Sequence, residues 1–229
     1  MLTRTTSRLA SAGIATIAGL AVLAPAAHAL DSSAAGKQPA KLTVAGYTKY
    51  LKAKQTPEAR KTLKKFNALP KAKKSRFVRY LQDRDVYRAL IDTTKGRIGG
   101  PLHIVDPYNK DVRFVTDVTS HAAKDKGRTT NVSFTVTEQI YRIPVTSETI
   151  RLRYQAKKPG KKVAATAKLT NVNAALSIKH DRVTAKGGPA TARTTWHASP
   201  RVASFGKKVV KAQSVAAAAG TWKAQLGNR

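Results

Sequence analysis

An imidazole beside a carboxylate is raw material for general acid–base chemistry. This chain sets the two close together at His103-Ile104-Val105-Asp106 and again at His180-Asp181. Neither pair has a nucleophile motif around it, because the sequence holds no GxSxG, HExxH or P-loop pattern. His121, near Asp117 and Asp125, has the donor types of a metal site but reads better as a polar loop after a strand. Glu138 and Glu148 flank a bend at Ile143-Pro144-Val145. Paired carboxylates are what a glycoside hydrolase needs; the neighbouring Arg142, Arg151 and Arg153 favour surface ion pairing instead. With no cysteine there is no disulfide framework, thiol nucleophile or thiolate metal site. The reading is of a non-enzyme with no catalytic residues, no metal site and no cofactor.

Lysine and arginine carry a stronger signal. The 229 residues include 43 Lys plus Arg against 12 Asp plus Glu, a formal charge of +31. Between Lys49 and Arg79 stand twelve basic residues and a single acid, Glu58. The candidate anion-binding set is Lys52, Lys54, Arg60, Lys61, Lys64, Lys65, Lys71, Lys73, Lys74, Arg76 and Arg79. Solvated helix faces normally interleave both signs, since like charges four residues apart repel by a few tenths of a kcal/mol. Lys61 with Lys65 and Arg60 with Lys64 have no acidic relief. A field of one sign serves to attract an anion. Lysine's compact charge suits long-range, non-bidentate attraction. Sequence-specific DNA reading is not expected, because zinc-finger, helix-turn-helix and RNA-binding signatures are absent and the aromatics lie on apolar stripes.

Those cations need helices to present them. Val44, Tyr47 and Leu51 recur at helical spacing. Thr56-Pro57-Glu58 is a helix start, with a hydroxyl N-cap, proline at the first position and an acid in the first turn. Phe66 continues that stripe, Phe77, Tyr80 and Leu81 form another, and Asp83 or Asp85 caps a last short helix carrying Val86, Tyr87, Leu90 and Ile91. Residues 41–93 are therefore predicted to be a small helical bundle. Residues 94–100, the heart of TTKGRIGGP, read as a Gly-rich joint.

Past the joint the hydrophobic period drops to two. Val112, Phe114, Thr116 and Val118 alternate with polar residues, as do Val132, Phe134 and Val136, then Ile150, Leu152 and Tyr154, then Val163 to Leu169, and finally Ala192 to Trp196. Residues 101–229 are predicted to be an antiparallel β-sandwich or barrel-like domain, giving an α+β fold class. The tail from Ala203 stays open between a helix end and a small-residue strand, with Trp222 packed on the sheet.

Residues 1–29 read as a signal peptide, with Arg4 and Arg8 before an Ala-rich apolar stretch and Ala27-His28-Ala29 as the cleavage pattern. Residues 30–40 read as a flexible leader. No later stretch reaches membrane-spanning length, so cleavage after Ala29 predicts a secreted, bacterial, cationic protein. The expected partner is an anionic cell-envelope polymer or an acidic secreted protein, with non-specific nucleic acid a further anion such a face would take. The alternatives are a protease inhibitor presenting Lys157-Lys158-Pro159-Gly160-Lys161-Lys162, a component of an exported toxin or antibacterial assembly, and a hydrolase using carboxylate or histidine chemistry.

Overall fold

A computed structural model describes residues 38–123, 129–156 and 162–229. The signal segment, residues 30–37 of the leader, Asp125 and all but Lys162 of the 157–162 loop lie outside the described residues. The fold is mixed α+β, with four helices and two antiparallel sheets.

The helices are α1 (Val44–Lys54), α2 (Pro57–Asn67), α3 (Lys71–Leu81) and α4 (Arg84–Ala89). Local chemistry starts three of them. Thr43, Thr56 and Asp83 each accept a backbone N–H of the following turn through the side chain, and Pro57 opens α2. The apolar stripes converge on an aromatic knot, with Tyr47 edge-on to Phe66 at 5.0 Å and Phe66 edge-on to Phe77 at 5.2 Å.

The first sheet has the order β1 (Asp92–Arg97), β11 (Thr221–Asn228), β10 (Val209–Ala218), β9 (Ala190–Pro200), β7 (Leu176–His180), with the short β8 (Thr184–Lys186) also pairing β9. The second runs β2 (Leu102–Pro107), β3 (Val112–Ala122), β4 (Thr129–Ile140), β5 (Ile143–Gln155), β6 (Ala164–Asn171). Burial alternates along the central strands. It picks out Phe134, Val136, Ile150 and Leu152 on one sheet and Trp196, Val215, Ala217 and Leu226 on the other. These inner faces meet: Gln213 Nε2 on β10 donates to the backbone carbonyls of Glu148 at 3.1 Å and Phe134 at 3.4 Å in the opposite sheet.

Three expectations change. Residues 94–97 of the supposed joint belong to strand β1, antiparallel to β11 over its whole length, and 98–100 form the turn that follows. Its glycines answer different needs: a Cβ on Gly96 would come within 2.5 Å of the Trp222 ring, while Gly99 turns the chain at φ +99°. The helices are also not a separate bundle, since they share one hydrophobic core with both sheets and the described residues cluster with them as one unit. Side chains from the β region satisfy carbonyls at the helix ends. Asn173 donates to Leu81 O at 2.8 Å, Asn228 to Arg88 O at 3.0 Å and Lys211 to Leu90 O at 2.8 Å. Finally, the leader is pinned where it is described, because Pro39 O and Ala40 O accept from Ala203 N and Ser204 N at 2.9 Å each. The tail left open from Ala203 resolves into a 3₁₀ turn and strands β10 and β11.

Candidate functional site: a basic helical face above a buried ionic cluster

Helix periodicity places the candidate cations outward. Of the eleven, all but Lys74 and Arg76 are exposed and those two are half-buried. Several lie against tyrosines. Lys54 Nζ donates to Tyr50 Oη at 3.0 Å, and Lys73 and Arg76 approach the Tyr141 ring at 5.5 and 5.9 Å. Within 4.0 Å of a carboxylate there is, among the described residues, only Arg76, paired with Asp111 at 3.4 Å.

Asp111 ties α3 to the sheet. Besides Arg76 it accepts from Tyr80 Oη at 3.3 Å and Tyr141 Oη at 2.8 Å, and its carbonyl accepts Tyr141 N at 2.7 Å. Burial and the hydrogen bond to Asp111 push the Tyr141 phenol up to about 12. Tyr141 and Arg142 form the β4–β5 turn at φ +50° and +62°, a conformation that disfavours both residue types. The Asp111 contacts hold that turn in place.

Beneath the helices the structure corrects the reading of Glu138 and Glu148. They neither ion-pair with arginines on the surface nor line an open cleft: both are fully buried, at 1% and 0% exposure. Glu138 on β4 is directly opposite Thr146 on β5, and Glu148 is two residues further along the same inner face. Tyr87 Oη from α4 donates to Glu148 Oε1 at 2.5 Å. Lys211, 0% exposed, enters from β10 with its Nζ 3.7 Å from the centroid of the Tyr87 ring. Gln213 receives the Trp196 Nε1–H at 2.9 Å, which completes a chain of polar groups across the core.

Burial dominates the protonation of this cluster. It pushes Glu138 up to about 8 against the attraction of Lys211, and it pulls Lys211 down to about 8 against the attraction of Glu148 and Glu138. Glu148 is also raised by burial, with Lys211 and the Tyr87 hydroxyl opposing. At neutral pH Glu138 is therefore a neutral acid, and Lys211 keeps its proton beside Glu148. Glycoside hydrolysis requires substrate and water between the carboxyls. Here that space is core: Glu148 is tied to α4 through Tyr87, while Glu138 Oε2 is buried without a hydrogen-bond partner among the described residues.

Each of the four described histidines has a hydrogen-bond partner. His103 Nδ1 is 2.7 Å from Asp117, its register partner, and not bonded to Asp106. His180 Nδ1 meets the Asp181 backbone carbonyl at 2.8 Å, while the Asp181 carboxylate takes His197 Nε2 at 2.9 Å and is held below the usual carboxylate range by that bond. His121 is 3.3 Å from Asn131. No group of three or more His, Cys, Asp or Glu is arranged to hold a metal among the described residues.

Protein-family models, curated proteins and solved structures yield no match to this chain. What the chain does must therefore be argued from its own residues. Lys211, Tyr87 and Gln213 were missed from sequence as members of a polar cluster. The signal was present, since Val209, Lys211, Gln213, Val215 and Ala217 alternate, but with the tail undecided between helix and strand no inner face could be assigned. No helix of the described residues is long and apolar enough to cross a membrane.

Proposed function

We propose that this chain is an exported, non-enzymatic cationic protein. Its helices form a basic layer on a β-sandwich and capture an anionic partner, a cell-envelope polymer or an acidic secreted protein. The observation that carries the reading is charge without compensation: eleven cations on α1–α3, nine of them exposed, with Arg76 alone near a carboxylate. Self-repulsion on three adjoining helices costs stability, and an anionic partner relieves it. The Tyr80–Asp111–Tyr141 tie supports the reading, because it fixes α3 to the sheet and makes the face a preset surface.

Such binding is long-ranged and screened, with a Debye length of about 8 Å at 0.15 M salt and about 3 Å at 1 M. Co-sedimentation with isolated Gram-positive cell walls, washed across that range, is the test. Retention should collapse with salt, and Lys61, Lys64, Lys65, Lys73 and Lys74 all changed to Gln should abolish it while the urea midpoint holds. Salt-insensitive retention, or retention in the quintuple variant, would overturn the proposal.

A further inference from the structure

The outer face of the six-stranded sheet carries a second basic surface with a different shape. From Arg182 to Arg229 the sequence holds nine basic residues and no acid, and all of them but the buried Lys211 are exposed or half-buried. Inner positions of β10 are the odd-numbered ones, so Ala212, Ser214 and Ala216 face outward along its length. Register places long side chains on either flank. Ser214 lies between Arg193 on β9 and Gln225 on β11, and Ala216 lies between Thr191 and Lys223, with Lys95 of β1 next to Lys223 and Lys186 of β8 next to Thr191. The middle strand is a floor of small residues, and each neighbour raises one cation beside it, Arg193 on β9 and Lys223 on β11, with Lys186 and Lys95 one strand further out. At one end this becomes a concavity of about 490 Å³ lined by Arg182, Arg193, Thr195, Ser214, Gln225 and Arg229, among others. Arg182, Arg193, Lys223 and Arg229 are exposed. Asp181, an acid among the lining residues, is already engaged by His197.

We propose that this trench is a binding site for a linear phosphate-bearing polymer lying along β10. The shape argues for a chain: the floor is narrow, and Arg193 and Lys223 stand on opposite sides of it in successive rows, about 6.6 Å apart. Arginine's planar fork matches phosphate oxygens bidentately, and Arg182, Arg193 and Arg229 bring it to this concavity. The site shares no residue with the helical face, so either proposal can fail alone.

The test is fluorescence titration of the full chain with long-chain inorganic polyphosphate at 0.15 M salt. Arg182→Gln, Arg193→Gln and Lys223→Gln together should weaken binding at least tenfold. Arg151→Gln, Arg153→Gln and Lys168→Gln, which remove the same charge from the other sheet, should change it less than threefold. Ser214→Tyr fills the floor without altering charge and should also weaken binding at least tenfold, which decides the matter should the triple variant unfold. Equal losses in the two triple variants, full binding by Ser214→Tyr, or tighter binding of poly-glutamate than of polyphosphate through the same residues would overturn the proposal.

Discussion

Lys211 and Lys64 are the same side chain in opposite surroundings. Lys64 stands on α2 in water, among Arg60, Lys61 and Lys65, with no acid beside it. Lys211 is sealed between two sheets and α4, held by one carbonyl, one aromatic face and the attraction of Glu148 and Glu138. The surface lysines act together and through a field that salt screens. The buried one acts alone, through contacts that salt does not reach. Charge on this molecule therefore does two jobs, and substitutions can separate them.

The largest effect belongs to the buried cation. Lys211→Met leaves Leu90 O without its donor and removes the buried cation that opposes the upward push of burial on Glu148 and Glu138, which costs about 3–5 kcal/mol because losing one member of a buried charged cluster strands the others. Urea denaturation should show it. Adding Glu148→Gln should recover most of the loss. A Lys211→Met variant as stable as the parent would erase the distinction between the two kinds of lysine.

Next comes pH. Glu138 is held near 8 in the folded chain against an ordinary 4.5, so the native state keeps a proton that the unfolded chain releases. Stability is then full below about 4.5 and falls as pH rises towards 8, by up to about 1.4 kcal/mol per unit. Lys211, lowered to about 8 from 10.5, opposes this only above pH 8, where the unfolded chain is the one holding the extra proton. Thermal melts at pH 5 and pH 8 should differ by about 2–3 kcal/mol in favour of pH 5. Glu138→Gln mimics the neutral acid and should flatten that difference by raising stability at pH 8. A slope unchanged in this variant would place the titration elsewhere.

The sequence made the surface half of this contrast legible and hid the interior half. Period-3.6 stripes and the Thr56-Pro57-Glu58 start are local signals, and the described helices and outward lysines follow them. The alternating runs at 112–118, 132–136 and 150–154 likewise became β3, β4 and β5. Burial of Glu138 and Glu148 was not readable, because residue type argued for solvent while strand alternation put both on the inner face. Burial neutralises Glu138 against the pull of Lys211, a cation some sixty residues later than Glu148 in a stretch rich in alanine that suits helix or strand equally. The joint failed for a similar reason. Gly96 is small because Trp222 lies against it, a contact visible only once β1 pairs β11.

Between the two extremes lies the cap that sets the basic helices in place. Thr56 Oγ1 accepts the Ala59 N–H at 3.2 Å, and Thr56→Ala should cost about 1 kcal/mol. That loss should be the same at low and high salt, since the bond is local. A loss that grew as salt fell would mean that the cap works against the surrounding positive field.

The smallest effect tests that field directly. Lys61 and Lys65 are one helical turn apart on α2, both exposed and without an acid partner. Lys61→Glu replaces a repulsive i,i+4 pair with an attractive one in the favourable orientation, acid on the N-terminal side. In 50 mM salt the chain should therefore gain a few tenths of a kcal/mol, up to about 1. In 1 M salt the Debye length is about 3 Å and the gain should vanish. The same variant should weaken capture by cell walls, because it removes a positive charge from the proposed face and adds a negative one. Stability and binding would then move in opposite directions through one residue, as expected of a surface whose repulsion is tolerated for what it attracts. A variant that gained stability and kept its binding would leave the helical lysines a solvated face and nothing more.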